Sequence, residues 1–251
     1  MPVYQSTHTV LSSDVDASQR LRLSTLFTML QEASIAHTTA LGMGREKTLD
    51  KGLLWIITLQ QAKIYRLPVY DETVTLASWP NRTMHLYFPR SYRLTGKDGE
   101  TLVEAAAVWA LMDRATRRIV FPEAHGIVIN GTNDQNDPPF PRPPRLPAPT
   151  ETIAFTVPYS YTDLNGHMNN TRYLDLAEDV MPQGLRSRPI ASVQIEYTGE
   201  AKAGETLRLS CAATDTAFAM QGETEKRLFR MLLEYKKECN FIKNGSLISS
   251  Q

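Results

Sequence analysis

Cysteine is nearly absent from this chain: Cys211 and Cys239 are the only two in 251 residues. Two thiols so placed fit no zinc-ligand spacing and build no disulfide framework, which excludes a metal-ribbon or a disulfide-stapled scaffold. Cys211 continues the alternating row Leu207, Leu209, Cys211 of a half-buried strand, so both thiols read as structural. Net charge is lacking too, since 27 Lys and Arg balance 27 Asp and Glu. No basic excess is available for nucleic acid, and no self-repulsion drives disorder. No stretch approaches the roughly eighteen apolar residues of a membrane span, and Met1 to Ser13 has no basic start before an apolar core. Membrane insertion and secretion are not expected, which leaves the cytoplasm as the default.

Proline, by contrast, is concentrated. Seven of the fifteen fall between Pro138 and Pro149, just after Asn133, Asp134, Asn136 and Asp137. Proline removes backbone donors and biases its neighbours toward extended chain, so residues 125–151 read as a semi-rigid linker between units at 1–124 and 152–251. Before the linker, Leu23, Leu26, Phe27, Leu30, Ser34, His37 and Leu41 fall on one stripe at helical spacing, with Gly42 and Gly44 as a stop. A long helix over 18–41 is predicted. Strands are predicted at Leu53–Tyr65, Glu72–Trp79, Met84–Leu94 and Leu102–Met112, the last two joined across Gly96-Lys97-Asp98-Gly99.

After the linker the order repeats: a strand near Ile153–Tyr159, a helix over 169–179 stopped by Pro182, then strands at Ala191–Tyr197, Thr206–Ala213 and Lys226–Lys236. Glu72-Thr73-Val74-Thr75-Leu76 echoes Glu205-Thr206-Leu207-Arg208-Leu209. One long helix followed by an antiparallel sheet, used twice, is an α+β pattern and matches two tandem hotdog domains, each a long helix wrapped by a curved antiparallel sheet. Paired units of that kind leave narrow apolar tunnels suited to acyl chains. Periodicity alone leaves an unrelated two-domain α+β protein equally open.

The segment richest in chemistry is Tyr161-Thr162-Asp163-Leu164-Asn165-Gly166-His167-Met168-Asn169-Asn170-Thr171-Arg172-Tyr173. Side chains at i, i+2 and i+4 of an extended segment share a face, so Asp163, Asn165 and His167 can converge ahead of a helix that Asn169 or Asn170 caps. The free N–H groups of a helix start suit a thioester oxygen that becomes an anion during attack. Capping alone would explain an isolated Asn, but not three polar side chains in step. No second histidine or cysteine lies at a ligand spacing from Asp163 and His167, so no metal is expected there.

Asp-x-Asn-x-His-x-Asn-Asn-x-x-Tyr resembles the signature of the plant and bacterial acyl-[acyl carrier protein] thioesterases, which are double-hotdog enzymes. The resemblance extends to Leu30-Gln31-Glu32-Ala33, Trp55-Ile56-Ile57-Thr58 and Val108 through Arg118. In that family a Glu-Tyr-x-x-Glu-Cys pattern supplies a further acidic residue. The matching stretch here, Glu196-Tyr197-Thr198-Gly199-Glu200-Ala201, keeps the glutamate as Glu200 and has Ala201 in place of the cysteine. The resemblance therefore implies hydrolysis of fatty acyl thioesters by water. Glu200 is the expected general base, Asn165 and His167 orient water and thioester, and Asp163 fixes the local hydrogen bonds; whether Asp163 or Glu200 takes the proton stays open.

Aligning the Glu-Thr echoes puts Leu67 opposite Glu200, so the first unit is expected to be non-catalytic and to hold the acyl chain, with Leu23, Phe27 and Leu30 as pocket walls. The partner implied is an acidic acyl carrier protein (ACP), received by Arg114, Arg117, Arg118 and Lys202. No cofactor is expected beyond the phosphopantetheine arm that the substrate brings; a homodimer is compatible with the sequence, which leaves the oligomeric state open. An acyl-CoA thioesterase on the same fold, or a non-catalytic acyl-binding double hotdog, are the alternatives. A hotdog hydratase would need its own acid-base pair on the helix.

Overall fold

The computed structural model describes residues 3–237. Its first unit comprises β1 (Tyr4–Thr9), α1 (Leu23–Ala40), β2 (Leu53–Ile64), β3 (Thr73–Pro80), β4 (Tyr87–Thr95) and β5 (Thr101–Asp113). The second comprises β6 (Glu151–Thr156), α2 (Arg172–Val180), a single-turn α3 (Gln183–Arg186), β7 (Ile190–Tyr197), β8 (Thr206–Ala213), β9 (Ala217–Glu223) and β10 (Arg227–Tyr235). All ten strands form one sheet in the order β1-β3-β4-β5-β2-β7-β10-β9-β8-β6. Read from either edge inward the order is the same, and every named pairing is antiparallel. The seam is β2 against β7, from Leu59↔Glu196 to Lys63↔Ser192.

The duplication extends to single hydrogen bonds. Val10 N–H donates to Glu72 O at 2.9 Å, and Val157 N–H donates to Glu205 O at 2.9 Å. The carboxylate of Glu72 accepts from Val69 N–H at 3.0 Å, and that of Glu205 accepts from Lys202 N–H at 2.9 Å. The echoed glutamates are therefore turn caps at the entry to β3 and β8. The bridges Val15↔Leu21 with Arg20↔Val69, and Thr162↔Met168 with His167↔Lys202, then align the units residue by residue. Asp16, Ser18, Arg20 and Leu67 stand where the second unit has Asp163, Asn165, His167 and Glu200.

Leu23, Leu26, Phe27 and Leu30 turn the apolar stripe of α1 into the core, each no more than 2% exposed. Burying side chains of this size contributes about 1.5–3 kcal/mol apiece. In the second unit Tyr173 of α2 sits edge-on to Phe229 at 4.6 Å and to Tyr197 at 5.6 Å, which fixes the helix that follows the polar segment.

Helix α1 starts later than 18, because Ser18 and Arg20 donate their backbone N–H groups to Asp16 Oδ1 in a turn closed by Gln19 at φ 60°. Helix α2 starts after 169, because Asn169 Oδ1 accepts from Thr171 N–H at 2.9 Å. Residues 84–87 form a tight turn with reciprocal Met84 and Tyr87 backbone bonds, His85 being left-handed. Strands β1 and β9 were not expected from the sequence. The linker is tied to the first unit: Ile127 and Ile129 are buried, and Asp137 accepts from Trp79 Nε1 and Asn81 Nδ2.

Candidate active site

Asp163, Asn165 and His167 sit on one loop. Asp163 Oδ1 accepts from Asn165 N–H at 2.8 Å, Gly166 N–H donates to Asp163 O at 3.0 Å, and Asp163 N–H donates to His167 O at 2.9 Å. Gly166 has φ 77°, a left-handed conformation that costs a side-chain-bearing residue about 1–2 kcal/mol. Met168 N–H donates to Ala201 O at 2.7 Å, and the His167↔Lys202 bridge draws the loop to the segment carrying Glu200. The Asp163 carboxylate thus bonds the loop backbone, while the His167 ring is largely buried against the segment that carries Glu200.

Glu200 is presented by a close-packed turn. Thr198 and Gly199 both donate backbone N–H groups to Leu228 O, and a Cβ on Gly199 would lie 2.6 Å from Leu228 Cδ2. Its Oε2 lies 3.7 Å from His167 Nε2. The same oxygen forms an ion pair with Arg117, which arrives from the first unit. Arg117 occupies a turn that Asp113 ties together by accepting from Ala115 N–H, Thr116 N–H and Thr116 Oγ1, and its own φ is 56°. Those bonds hold the Asp113 carboxyl below its usual pKa.

Burial, then the charge of Arg117, lower the pKa of His167 below its ordinary 6.5. Its ring is therefore neutral at pH 7. His167 Nδ1 is buried with no hydrogen-bond partner among the described residues.

Asn165 and Leu164 border a cavity of about 250 Å³. Apart from Ile129 of the linker, its remaining walls come from the first unit, among them Ser34, Ile35, Thr38 and Thr39 of α1, the 43–49 loop, the start of β2 with Leu53, Leu54 and Trp55, and Phe88, Arg90 and Trp109 of the sheet. A polar loop from one unit thus opens on an apolar chamber in the other. Leu23, Phe27 and Leu30 do not border this chamber; they are core residues.

A match to the acyl-ACP thioesterase N-terminal domain spans residues 2–123, and one to the C-terminal domain spans 147–228. The chain belongs to the acyl-ACP thioesterase family. The chain is 22% identical over 245 residues to a palmitoyl-acyl carrier protein thioesterase of Cuphea hookeriana, covering 91% of this chain and 59% of the relative. It is 25% identical over 218 residues to a dodecanoyl-[acyl-carrier-protein] hydrolase of Cinnamomum camphora, covering 79% and 56%. Both are chloroplastic, and the chain spans less than three-fifths of either. Among solved structures, an acyl-ACP thioesterase from Bacteroides thetaiotaomicron superposes with a TM-score of 0.81 at 22% identity, covering 93% of this chain and 98% of its own. A 12:0-ACP thioesterase from Umbellularia californica gives 0.78 at 20% identity, covering 93% and 97%. The fold is the double hotdog.

Within this acyl-ACP thioesterase fold, Ala201 is wholly buried and carries no nucleophile. Cys211 is buried on β8, and burial pushes its thiol pKa up to about 11, so it is not a thiolate at neutral pH. Cys239 lies outside the described residues. Of the four basic residues expected at a docking surface, Arg114, Arg118 and Lys202 are exposed, whereas Arg117 is engaged with Glu200. No sequence pattern announces that pair, since it forms only when the two units close. No helix among the described residues is long and apolar enough to cross a membrane.

Proposed function

We propose that this chain hydrolyses fatty acyl-ACP thioesters to free fatty acid and holo-ACP by carboxylate-activated water. The observation that carries this reading is the Asp163–His167 loop, with His167 Nε2 3.7 Å from Glu200 Oε2, opening on an apolar cavity walled by the opposite unit. The acyl chain lies in that cavity, and the thioester carbonyl stops beside Asn165. Glu200 takes a proton from water as its oxygen attacks the carbonyl carbon. Asn165 and neutral His167 donate hydrogen bonds that orient the reactants and the developing oxyanion. The tetrahedral intermediate collapses with cleavage of the C–S bond, and the departing thiolate takes the proton back from Glu200. Acid and thiol leave, and the carboxylate is restored without any covalent acyl-enzyme. Arg117 is a positioning residue that holds Glu200 beside His167.

The acidic carrier docks on Arg114, Arg118 and Lys202, and its phosphopantetheine arm reaches Asn165. The test is release of fatty acid from a panel of acyl-ACP thioesters, with the matching acyl-CoA series alongside. Turnover of acyl-ACP with a lower KM than acyl-CoA is expected. Tight acyl binding with no release from either carrier would overturn the proposal.

A further inference from the structure

One wall of the acyl cavity is a buried arginine. Arg90 is 4% exposed, yet among the described residues it has no carboxylate within ion-pair distance. Its Nη1 donates to Ser78 Oγ at 3.0 Å and to His37 Nδ1 at 2.9 Å, and Nη2 donates to Thr38 Oγ1 at 3.4 Å. Because arginine only donates, His37 Nδ1 is the acceptor in that pair. Every acceptor in these bonds is neutral, and the bonds use only part of the five-donor fork. Arginine is seldom buried without an anion, because removing its charge from water costs more than neutral acceptors return.

The fold does not require this charge. Ser78 pairs with Tyr92 across β3 and β4, and Cys211 pairs with Met220 across β8 and β9. Arg90, two residues before Tyr92, therefore corresponds to Phe218, which is wholly buried. In the second unit the three positions are Cys211, Phe218 and Met220; in the first they are Ser78, Arg90 and Tyr92. The polar set occurs only in the unit that lines the cavity with Thr38, Arg90 and Trp109.

We propose that the cavity selects acyl chains carrying an acceptor oxygen, a carboxylate above all, and that Arg90 is the residue that receives it. This rests on the reading of the cavity as the acyl pocket. A chain ending in a methyl group leaves the guanidinium facing hydrocarbon, whereas a carboxylate at matching depth completes a charge-assisted pair.

The test uses the whole chain and pantetheine thioesters of increasing length, each made with a methyl, a hydroxyl or a carboxylate at the far end. At one length the carboxylate-terminated chain is expected to exceed its methyl counterpart in kcat/KM by at least about tenfold, the size of a hydrogen bond to a charged group. The hydroxylated chain should fall between them, and Arg90→Phe should reverse the order. A methyl preference at every length in the unmodified protein would overturn the inference, and that arm needs no variant to fold. Calorimetric binding of analogues with methylene in place of sulfur reads the same preference without turnover. Absence of hydrolysis would thus sink the thioesterase reading, while a methyl preference in binding would sink this one.

Discussion

His167 and Glu200 face each other beside Arg117, and the proposed mechanism gives each its own test. Replacing Glu200 by Gln keeps the size and removes the base, so kcat should fall by roughly two to four orders of magnitude while acyl binding persists, as single-turnover and binding assays would read. Near-normal turnover would instead leave Asp163 as the base. For His167 the sign follows from its lowered pKa, caused first by burial and then by Arg117. The ring stays neutral as pH falls to its ordinary 6.5, so the acid limb of kcat/KM should lie below that value. Its contribution to stability is likewise lost as pH falls, because the unfolded chain binds the proton first. Arg117→Gln removes the second-largest of the causes that lower it, leaving burial and Lys202, so the limb should move toward 6.5, and a small thioester should be affected as much as a carrier-bound one. An unchanged pH profile, with loss confined to ACP substrates, would return Arg117 to the docking surface. The loop triad was legible as a pattern and Glu200 only through the family resemblance, whereas the Arg117–Glu200 ion pair was not legible, because no local pattern distinguishes an arginine that crosses between units from a solvated one.

At the scale of the elements, alternation and helical period located α1, α2 and eight of the ten strands, the exceptions being β1 and β9. Strand β1 is the polar run Tyr4–Thr9 on the edge of the sheet, so its pattern is hard to tell from a loop. Strand β9 contains Gly222, which weakens strand propensity but admits Phe229: a Cβ there would lie 2.2 Å from its ring. That ring is wholly buried and packed on Tyr173, so Gly222→Ala should cost about 1–3 kcal/mol in chemical denaturation; an unchanged midpoint would contradict the packing. The residues that border the cavity differ from the apolar stripe for a related reason. The strongest apolar stripe, Leu23 to Leu30, enters the core, while the cavity is bordered farther along the helix by Ser34, at the polar end of that stripe, and by Ile35, Thr38 and Thr39 beside it.

For the whole molecule, the pseudo-twofold order of the sheet means that each polar loop faces the helix and loops of the other unit. Only the second unit has His167 on this loop and Glu200 on the segment paired with it. The first has Arg20, whose guanidinium is spent on Asp16 and on the carbonyls of Arg186 and Ser187. Carrier recognition also belongs to this scale. Reversing Arg114 and Arg118 together should raise KM for acyl-ACP with a steep salt dependence and spare a pantetheine thioester; equal effects on both would count against docking there.

The central claim is that the second unit cuts the chain that the first unit holds. Its most direct test is the chain-length profile of fatty acid release by a variant that narrows the cavity, Leu54→Trp, compared with Leu209→Met in the buried core of the second unit. The division of labour predicts that Leu54→Trp moves the optimum to shorter chains with kcat on the shortest chain preserved, while Leu209→Met leaves the profile in place. A profile unmoved by Leu54→Trp, or moved by Leu209→Met, would contradict it.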